Sequence, residues 1–320
     1  MTLAPLSVRL RLGALAFSFA LGVFQTPPPS LAQDQTLRFG IGPLQPTPSE
    51  TKKAFESFFA GLAKKLNREY DLVATTDWAG IAVALANDQV DVAWMGPWGY
   101  ILANNDSGVT AIATAKYDGK PIYHAIVVCR PGGGVKRWPQ DAKGRRVSFA
   151  DVGSTSDWRI PTAWFRTKGI EPKEYFQYSD GATHAANEIA VASGQADCAT
   201  DFDRNRTAMI ESGRLEKSAT EIVWQSDPLP NDAIAVRRGF DPALAQRIQT
   251  ILLGISEADA KPLLPNHYTG FVAATHSSYR MIEDAGVLVG KAELAFGADH
   301  AVRLEAADLR RLEHALGAGG

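Results

Sequence analysis

The chain has 320 residues, is 45% hydrophobic, carries a formal net charge of −2 and contains two cysteines. That length suits two lobes and is short for three domains. The near-neutral charge supplies no basic surface for nucleic acid and no polybasic membrane patch. Two cysteines are no disulfide framework: Cys129 and Cys198 either form one bridge or remain a buried reduced pair.

The N-terminus reads as a leader rather than as part of a fold. Arg9 and Arg11 form a basic start, Leu12 to Phe24 is an apolar run, and Ser30-Leu31-Ala32 is a small-x-small cleavage site. The run is too short for a stable membrane span, and Pro27-Pro28-Pro29 breaks it. Residues 1–32 are therefore expected to be a signal peptide, cleaved after Ala32. No cysteine follows that would carry a lipid, and no twin-arginine pair is present. The mature chain, at a net charge of −4 once Arg9 and Arg11 are gone, is expected to be soluble and periplasmic.

Strand and helix patterns then alternate, which predicts an α/β protein with largely parallel sheets. Leu37–Ile41 reads as a strand. Ser49 is placed to cap a helix over Lys52–Leu66, whose apolar face is Phe55, Phe58, Phe59, Leu62 and Leu66. Asp71–Thr75 is the next strand, Ile81–Ala86 lies in a helix, and Val90–Trp94 is a strand ending at Gly96-Pro97. Ile122–Val128 is long enough to cross from one lobe to another, and Pro131–Gly134 marks a break. A second α/β unit follows: strand Val147–Phe149, a helix after Ser156, helix Ala182–Ala192 and strand Ala196–Ala199. Pro228–Pro230 with Ala233–Val236 reads as the return crossing, and helix Pro242–Leu253 completes the first lobe. Two crossings imply a hinge and an interlobe cleft, a favoured place for ligands. The organisation is thus lobe 1 over residues 33–128 and 231–300, lobe 2 over 129–230, and a charged helical tail over 301–320.

Between a short strand and an amphipathic stretch (Trp158–Phe165) lies Gly153-Ser154-Thr155-Ser156. A strand–Gly–Ser/Thr–helix junction offers unpaired N–H groups and short-reach hydroxyls to an anion. Taken alone, the same run also describes a capped helix.

Six segments in order carry a family resemblance: Leu37–Pro43, Asp77–Gly80, Gly96–Tyr100, Ser154–Ser156, Gly181–His184 and Gly194–Asp197. Over roughly Thr36–Leu253 the chain resembles the phosphonate-binding periplasmic proteins of ABC importers and their phosphite- and hypophosphite-binding relatives. The segments Gly96–Asn104 and Pro230–Ala243 are most similar to the phosphite-binding branch. The resemblance implies a type II, two-lobed Venus-flytrap fold with two hinge-crossing strands, and no enzymatic activity, cofactor or metal. The partners it implies are a small phosphorus oxyanion and an inner-membrane permease, with the binding protein itself a monomer. It also implies that Ser154, Thr155 and Ser156 donate to ligand oxygens, that His184 donates from the same lobe, and that Trp78 faces the ligand from the other. Met95 stands where an aromatic hydroxyl is common, and Asp201 and Asp203 should approach the cleft. Trp98 and Tyr100 fit either ligand contacts or a packed cap on the lobe.

The departures point to a small ligand. Trp78 in place of tyrosine exchanges a hydroxyl for a π-face and an indole N–H, against which a P–H group could lie. Asp157, where glycine is usual, and Trp158 after it would narrow the pocket. Asp203 or Asp201 would accept a P–OH hydrogen bond, hold the ammonium of 2-aminoethylphosphonate, or pair with Arg204 or Arg206. The favoured ligand is phosphite, then hypophosphite or methylphosphonate, with general phosphonate binding as the alternative. An exported phosphoester hydrolase with Ser154 or Ser156 as nucleophile lacks a Gly-x-Ser-x-Gly elbow and a metal-spaced cluster.

Overall fold

The computed structural model describes residues 36–286 and Gly290; the expected leader (1–32) and tail (301–320) lie outside the described residues. The first half of the chain runs β1 (Leu37–Ile41), α1 (Pro48–Leu66), β2 (Tyr70–Ala74), α2 (Trp78–Ala86), β3 (Val92–Met95), α3 (Pro97–Ser107), β4 (Thr110–Tyr117), β5 (Ile122–Tyr123) and β6 (Ala125–Cys129). It continues with β7 (Arg146–Ala150), α4 (Ile160–Thr167), α5 (Pro172–Tyr175), β8 (Gln177–Ala182), α6 (His184–Ala192), β9 (Cys198–Phe202), α7 (Asp203–Glu211) and β10 (Glu221–Gln225). It closes with β11 (Leu229–Pro230), β12 (Ala233–Val236), α8 (Pro242–Leu253), α9 (Glu257–Ala260) and β13 (Tyr268–Ala273).

Two sheets make two lobes of an α/β fold. The first has the order β13-β4-β12-β3-β1-β2, the second β10-β6-β9-β7-β8, and a two-stranded ribbon, β11-β5, lies between them in the sequence. The expectation of largely parallel sheets gives way to mixed ones. Strands within a βαβ run pair in parallel (β1 with β2 and β3, β7 with β8 and β9). Strands that arrive by a crossing, β6 and β12, enter their new sheets antiparallel. The first crossing breaks at His124 into β5 and β6, and the return crossing is β11, one turn before Ala233–Val236.

Helix α1 starts earlier than its apolar pattern. Thr47 rather than Ser49 caps it, accepting the Glu50 N–H, because Pro48 already supplies a helical φ at the first position. Its face (Phe55, Phe58, Phe59, Leu62, Leu66) is buried against Trp94 and Phe271 of the first sheet. The second lobe has its own core, around Phe149, Trp158, Trp164 and Phe165.

Cys129 and Cys198 face each other across β6 and β9 and are joined as a disulfide that closes a 69-residue separation. Tying neighbouring strands removes unfolded-state freedom. Chemical denaturation of the reduced protein, or of the Cys129→Ser/Cys198→Ser variant, should give a stability lower by about 2–4 kcal/mol. An unchanged denaturation midpoint would mean that the two thiols are not joined in solution.

Candidate functional site

The site begins with a missing amide hydrogen. Pro161 sits in the first turn of α4 and cannot donate to the Asp157 carbonyl; the Thr200 hydroxyl donates to it instead, at 2.7 Å. The preceding residues, Thr155–Arg159, form a wide π-type turn in which Arg159 N–H reaches the Ser154 carbonyl and Ile160 N–H the Thr155 carbonyl. Ser154 caps this turn by accepting the Asp157 N–H. The turn puts Ser154, Thr155, Ser156 and Asp157 inside the protein, all nearly or fully buried.

Each hydroxyl has a different remaining capacity. Ser154 accepts at the cap and Thr155 accepts the Trp98 N–H at 2.8 Å, so both keep a proton to donate. Ser156 has spent its own on Asp157 Oδ1, at 2.8 Å, and offers lone pairs. Asp157 therefore does not narrow the pocket as its bulk suggested. It points away, holding Ser156 by one oxygen and lying 2.7 Å from His184 Nδ1 by the other, in a contact that is ionic only when the imidazole is protonated and is not aligned for a linear hydrogen bond. Trp158 also turns into the second lobe's core, where its indole donates to Tyr178.

Trp78 comes from the opposite lobe. Its ring rests on Gly42 and Gly96, and a Cβ at Gly42 would collide with it. Its Nε1–H donates to His184 Nε2 at 2.8 Å, a bond that spans the lobes. The backbone amides of Trp78 and Ala79, at the start of α2, point at the Asp151 carboxylate (3.2 and 3.3 Å), and a Cβ on Gly153 would strike the Ala79 nitrogen. Burial raises the Asp151 pKa, partly offset by these amides.

Around this junction Trp78, Gly96, Tyr123, Ser154, Thr155, Ser156, His184, Phe202, Arg204 and Asp232, with Leu44, enclose a cavity with about 10 Å³ at its centre. That is close to the least that admits one water. Of the residues expected from the sequence, Ser154, Thr155, Ser156, His184 and Trp78 meet here. Met95, Trp98, Tyr100, Asp201 and Asp203 are not in this wall. Met95 is fully buried in the first lobe's core. Trp98 contributes its backbone N–H while its ring stacks on Arg159, and Tyr100 packs on Tyr279 and reaches His276. Asp201, fully buried, is bound through both oxygens by Asn205, and Asp203 takes the Arg204 N–H at the start of α7.

Three polar wall residues, Tyr123, Asp232 and Arg204, were not among the expected site residues. Tyr123 stands next to His124, and the alternation of a strand turns one in and the other out: Tyr123 is buried and reaches Thr155 and Ser156, whereas His124 binds the Ser226 carbonyl. Asp232 accepts from Trp94 Nε1, and burial raises its pKa against the pull of Arg204. Arg204, considered only as an ion-pair partner, is 6% exposed. It donates through Nη2 to Asn231 and lies over the rings of Tyr123, Tyr117 and Phe202. Its Nε and Nη1 have no hydrogen-bond partner. A buried cation with two unsatisfied donors is a costly arrangement unless an anion shares the site.

His184 feels opposing influences: burial lowers its pKa, but Asp157, with Asp151 and Asp232, more than compensates, so the net shift is upward from 6.5. The indole N–H of Trp78 can donate only to an unprotonated Nε2. Protonation thus turns Nε2 from the acceptor of Trp78 into a donor. Asp157, His184 and Asp201 also lie within metal-binding spacing of one another. With Nε2 held as an acceptor, however, the imidazole proton sits on Nδ1, leaving no lone pair there for a metal.

Two α/β lobes joined by a double crossing, with a donor-lined cavity between them, are the architecture of a periplasmic solute-binding protein. Residues 39–279 match the family described as "ABC transporter, phosphonate, periplasmic substrate-binding protein", and the chain belongs to it. It is 25% identical over 254 residues to the phosphate-import protein PhnD of Mycolicibacterium smegmatis (72% of this chain, 79% of that one). It is likewise 25% identical over 243 residues to the phosphonates-binding periplasmic protein of Escherichia coli (74% and 72%). Its fold is similar to the binding component of a Pseudomonas aeruginosa ABC phosphonate transporter, with a TM-score of 0.76 at 20% identity over 87% of this chain and 94% of that one. It is similar also to PhnD1 of Prochlorococcus marinus in complex with methylphosphonate, with a TM-score of 0.72 at 18% identity over 81% and 99%. Among the described residues no helix is long and apolar enough to cross a membrane.

The Gly153 contact gives a direct check on lobe approach. Gly153→Val should hold the lobes apart, giving a larger radius of gyration by small-angle X-ray scattering with an unchanged far-ultraviolet dichroism spectrum. A scattering curve identical to wild type would show that the approach is not tight in solution.

Proposed function

We propose that the chain captures a small phosphorus oxyanion, phosphite before hypophosphite or methylphosphonate, between its lobes and hands it to an inner-membrane permease. The protein would act as a monomer, in the periplasm after cleavage behind Ala32. The observation that carries this reading is Arg204: a buried guanidinium with two donor nitrogens, Nε and Nη1, lacking a hydrogen-bond partner in the wall of a very small cavity.

Around it the hydroxyls of Ser154 and Thr155 supply neutral donors, the lone pairs of Ser156 can receive a P–OH, and the face of Trp78 can lie against a P–H. A ligand enters by replacing the Trp78–His184 contact, so its oxygens take over donors that the lobes otherwise share. Asp232, rather than Asp201 or Asp203, is the carboxylate placed to accept a P–OH. The same carboxylate would suit the ammonium of 2-aminoethylphosphonate, but Arg204 beside it repels a second cation. The wall contains a hydroxyl triplet and a histidine but no nucleophile–base hydrogen bond: His184 is occupied by Asp157 and Trp78. That arrangement favours binding over catalysis.

A thermal-shift and calorimetric screen of the mature protein against phosphite, hypophosphite, methylphosphonate, 2-aminoethylphosphonate and phosphate should rank phosphite first. The Ser154→Ala/Thr155→Val variant should bind it about 100-fold or more weakly, since each hydrogen bond to an anion is worth about 1.5–3 kcal/mol. Tighter binding of 2-aminoethylphosphonate, or hydrolysis of p-nitrophenyl phosphate, would overturn the reading.

The His184 shift gives a pH dependence. Because its folded pKa lies above 6.5, the imidazolium and its stabilising contact with Asp157 are fully present below pH 6.5 and are lost as pH rises through the raised value. Oxyanion affinity should therefore fall as pH rises from 6.5 toward 9, and the His184→Gln profile should lose this step. An equal slope in both proteins would assign the titration elsewhere.

A further inference from the structure

Beside the small cavity lies a much larger one of about 340 Å³, and Leu44, Phe202 and Arg204 line both. The larger cavity has apolar walls at Phe55, Tyr117, Met209 and Tyr268. Ion pairs at its lining residues connect the lobes, Arg214 with Glu50 at 3.0 Å and Glu211 with His267 at 2.7 Å. Arg204 therefore stands between a polar chamber the size of one small group and a larger chamber, part apolar and part polar, with room for a substantial organic substituent. It is held there by the Asn231 bond and by the aromatic rings on which its guanidinium rests.

We propose that Arg204, with Leu44 and Phe202, is the partition that sets ligand size, and that the cavity behind it is a latent subsite for the alkyl or aryl group of a phosphonate. This deepens the oxyanion reading and rests on it. The guanidinium does two separable things: its charge draws any phosphorus oxyanion, and its bulk stops one carrying a tail. A tetrahedral phosphonate has one carbon substituent, and with the partition gone it can turn that substituent toward the larger cavity. Burial of each added methylene there would then add to affinity rather than clash.

The test is calorimetry with phosphite, methylphosphonate, n-butylphosphonate and phenylphosphonate on wild type, Arg204→Met, Arg204→Ala and Leu44→Ala. Met keeps most of the length and loses the charge; Ala loses both. Wild type should bind methylphosphonate at least about tenfold more tightly than the butyl or phenyl compound, the scale of discrimination a shaped pocket reaches. Arg204→Met should weaken all four ligands and keep that ratio. Arg204→Ala should lower the ratio by about tenfold or invert it. Leu44→Ala, which changes no charge, should lower it in the same direction and decides the matter if Arg204→Ala does not fold. A wild type that binds the butyl compound as tightly as the methyl one overturns the partition, as does a ratio unchanged in both alanine variants. Failure of wild type to bind phosphite and methylphosphonate at all overturns the oxyanion reading itself.

Discussion

Pro161 has no amide hydrogen to give to the Asp157 carbonyl, and the geometry of the site follows from what replaces that bond. Thr200 reaches across from β9 to satisfy the carbonyl, which anchors the turn to the second sheet. The widened turn then carries Asp157 inward rather than toward solvent. Once there, its carboxylate fixes both neighbours: Ser156 loses its free proton, and His184 takes the tautomer that leaves Nε2 open to Trp78. A regular first helical turn would aim these groups differently. The orientations of three cavity-wall side chains thus depend on one residue outside that wall.

Glycines make room both for the ring that reaches across to His184 and for the approach of the lobes. Gly42 and Gly96 leave the slot in which the Trp78 ring lies, and Gly153 lets the amide end of α2 come down onto Asp151. A carboxylate at a helix N-terminus is a favourable pairing, yet burial raises the pKa of this one. The junction therefore holds the lobes together without being so strong that release is costly. His184 adds a second contact of the same kind, available only when Nε2 is unprotonated.

The sequence made much of this legible, and the reasons for its failures are physical. The hydroxyl triplet was visible as a strand-to-helix junction with free donors, whereas Trp78 and His184 were visible only through the family resemblance. Arg204 and Asp232 were visible in neither way. An arginine at the start of a helix and an aspartate in a crossing segment are ordinary surface residues in a linear reading. Only the packing of Tyr117, Tyr123 and Asn231 around Arg204, and of Trp94 against Asp232, takes them out of water. Asp201 misled for the opposite reason: the end of a strand implied the cleft, but Asn205, one turn along α7, turns its carboxylate inward beside Glu188. The parallel-sheet expectation failed because periodicity identifies strands without saying from which lobe the chain arrives.

Charge balance is how the proposed site would favour a small anion and still release it. Arg204 alone, buried with Nε and Nη1 unmet, would hold an oxyanion too firmly for transport. Asp232 lies near enough to lower that pull, and Arg204 in turn moderates the rise in the Asp232 pKa. The opposite charges of Arg204 and Asp232 offset one another, so on the proposed reading selectivity would pass to the shape of the donors and of the wall. A ligand that brings one charge, one P–OH and no tail would meet a donor, an acceptor and a closed partition. An ion with more charge would meet Asp232, and one with more carbon would meet Arg204.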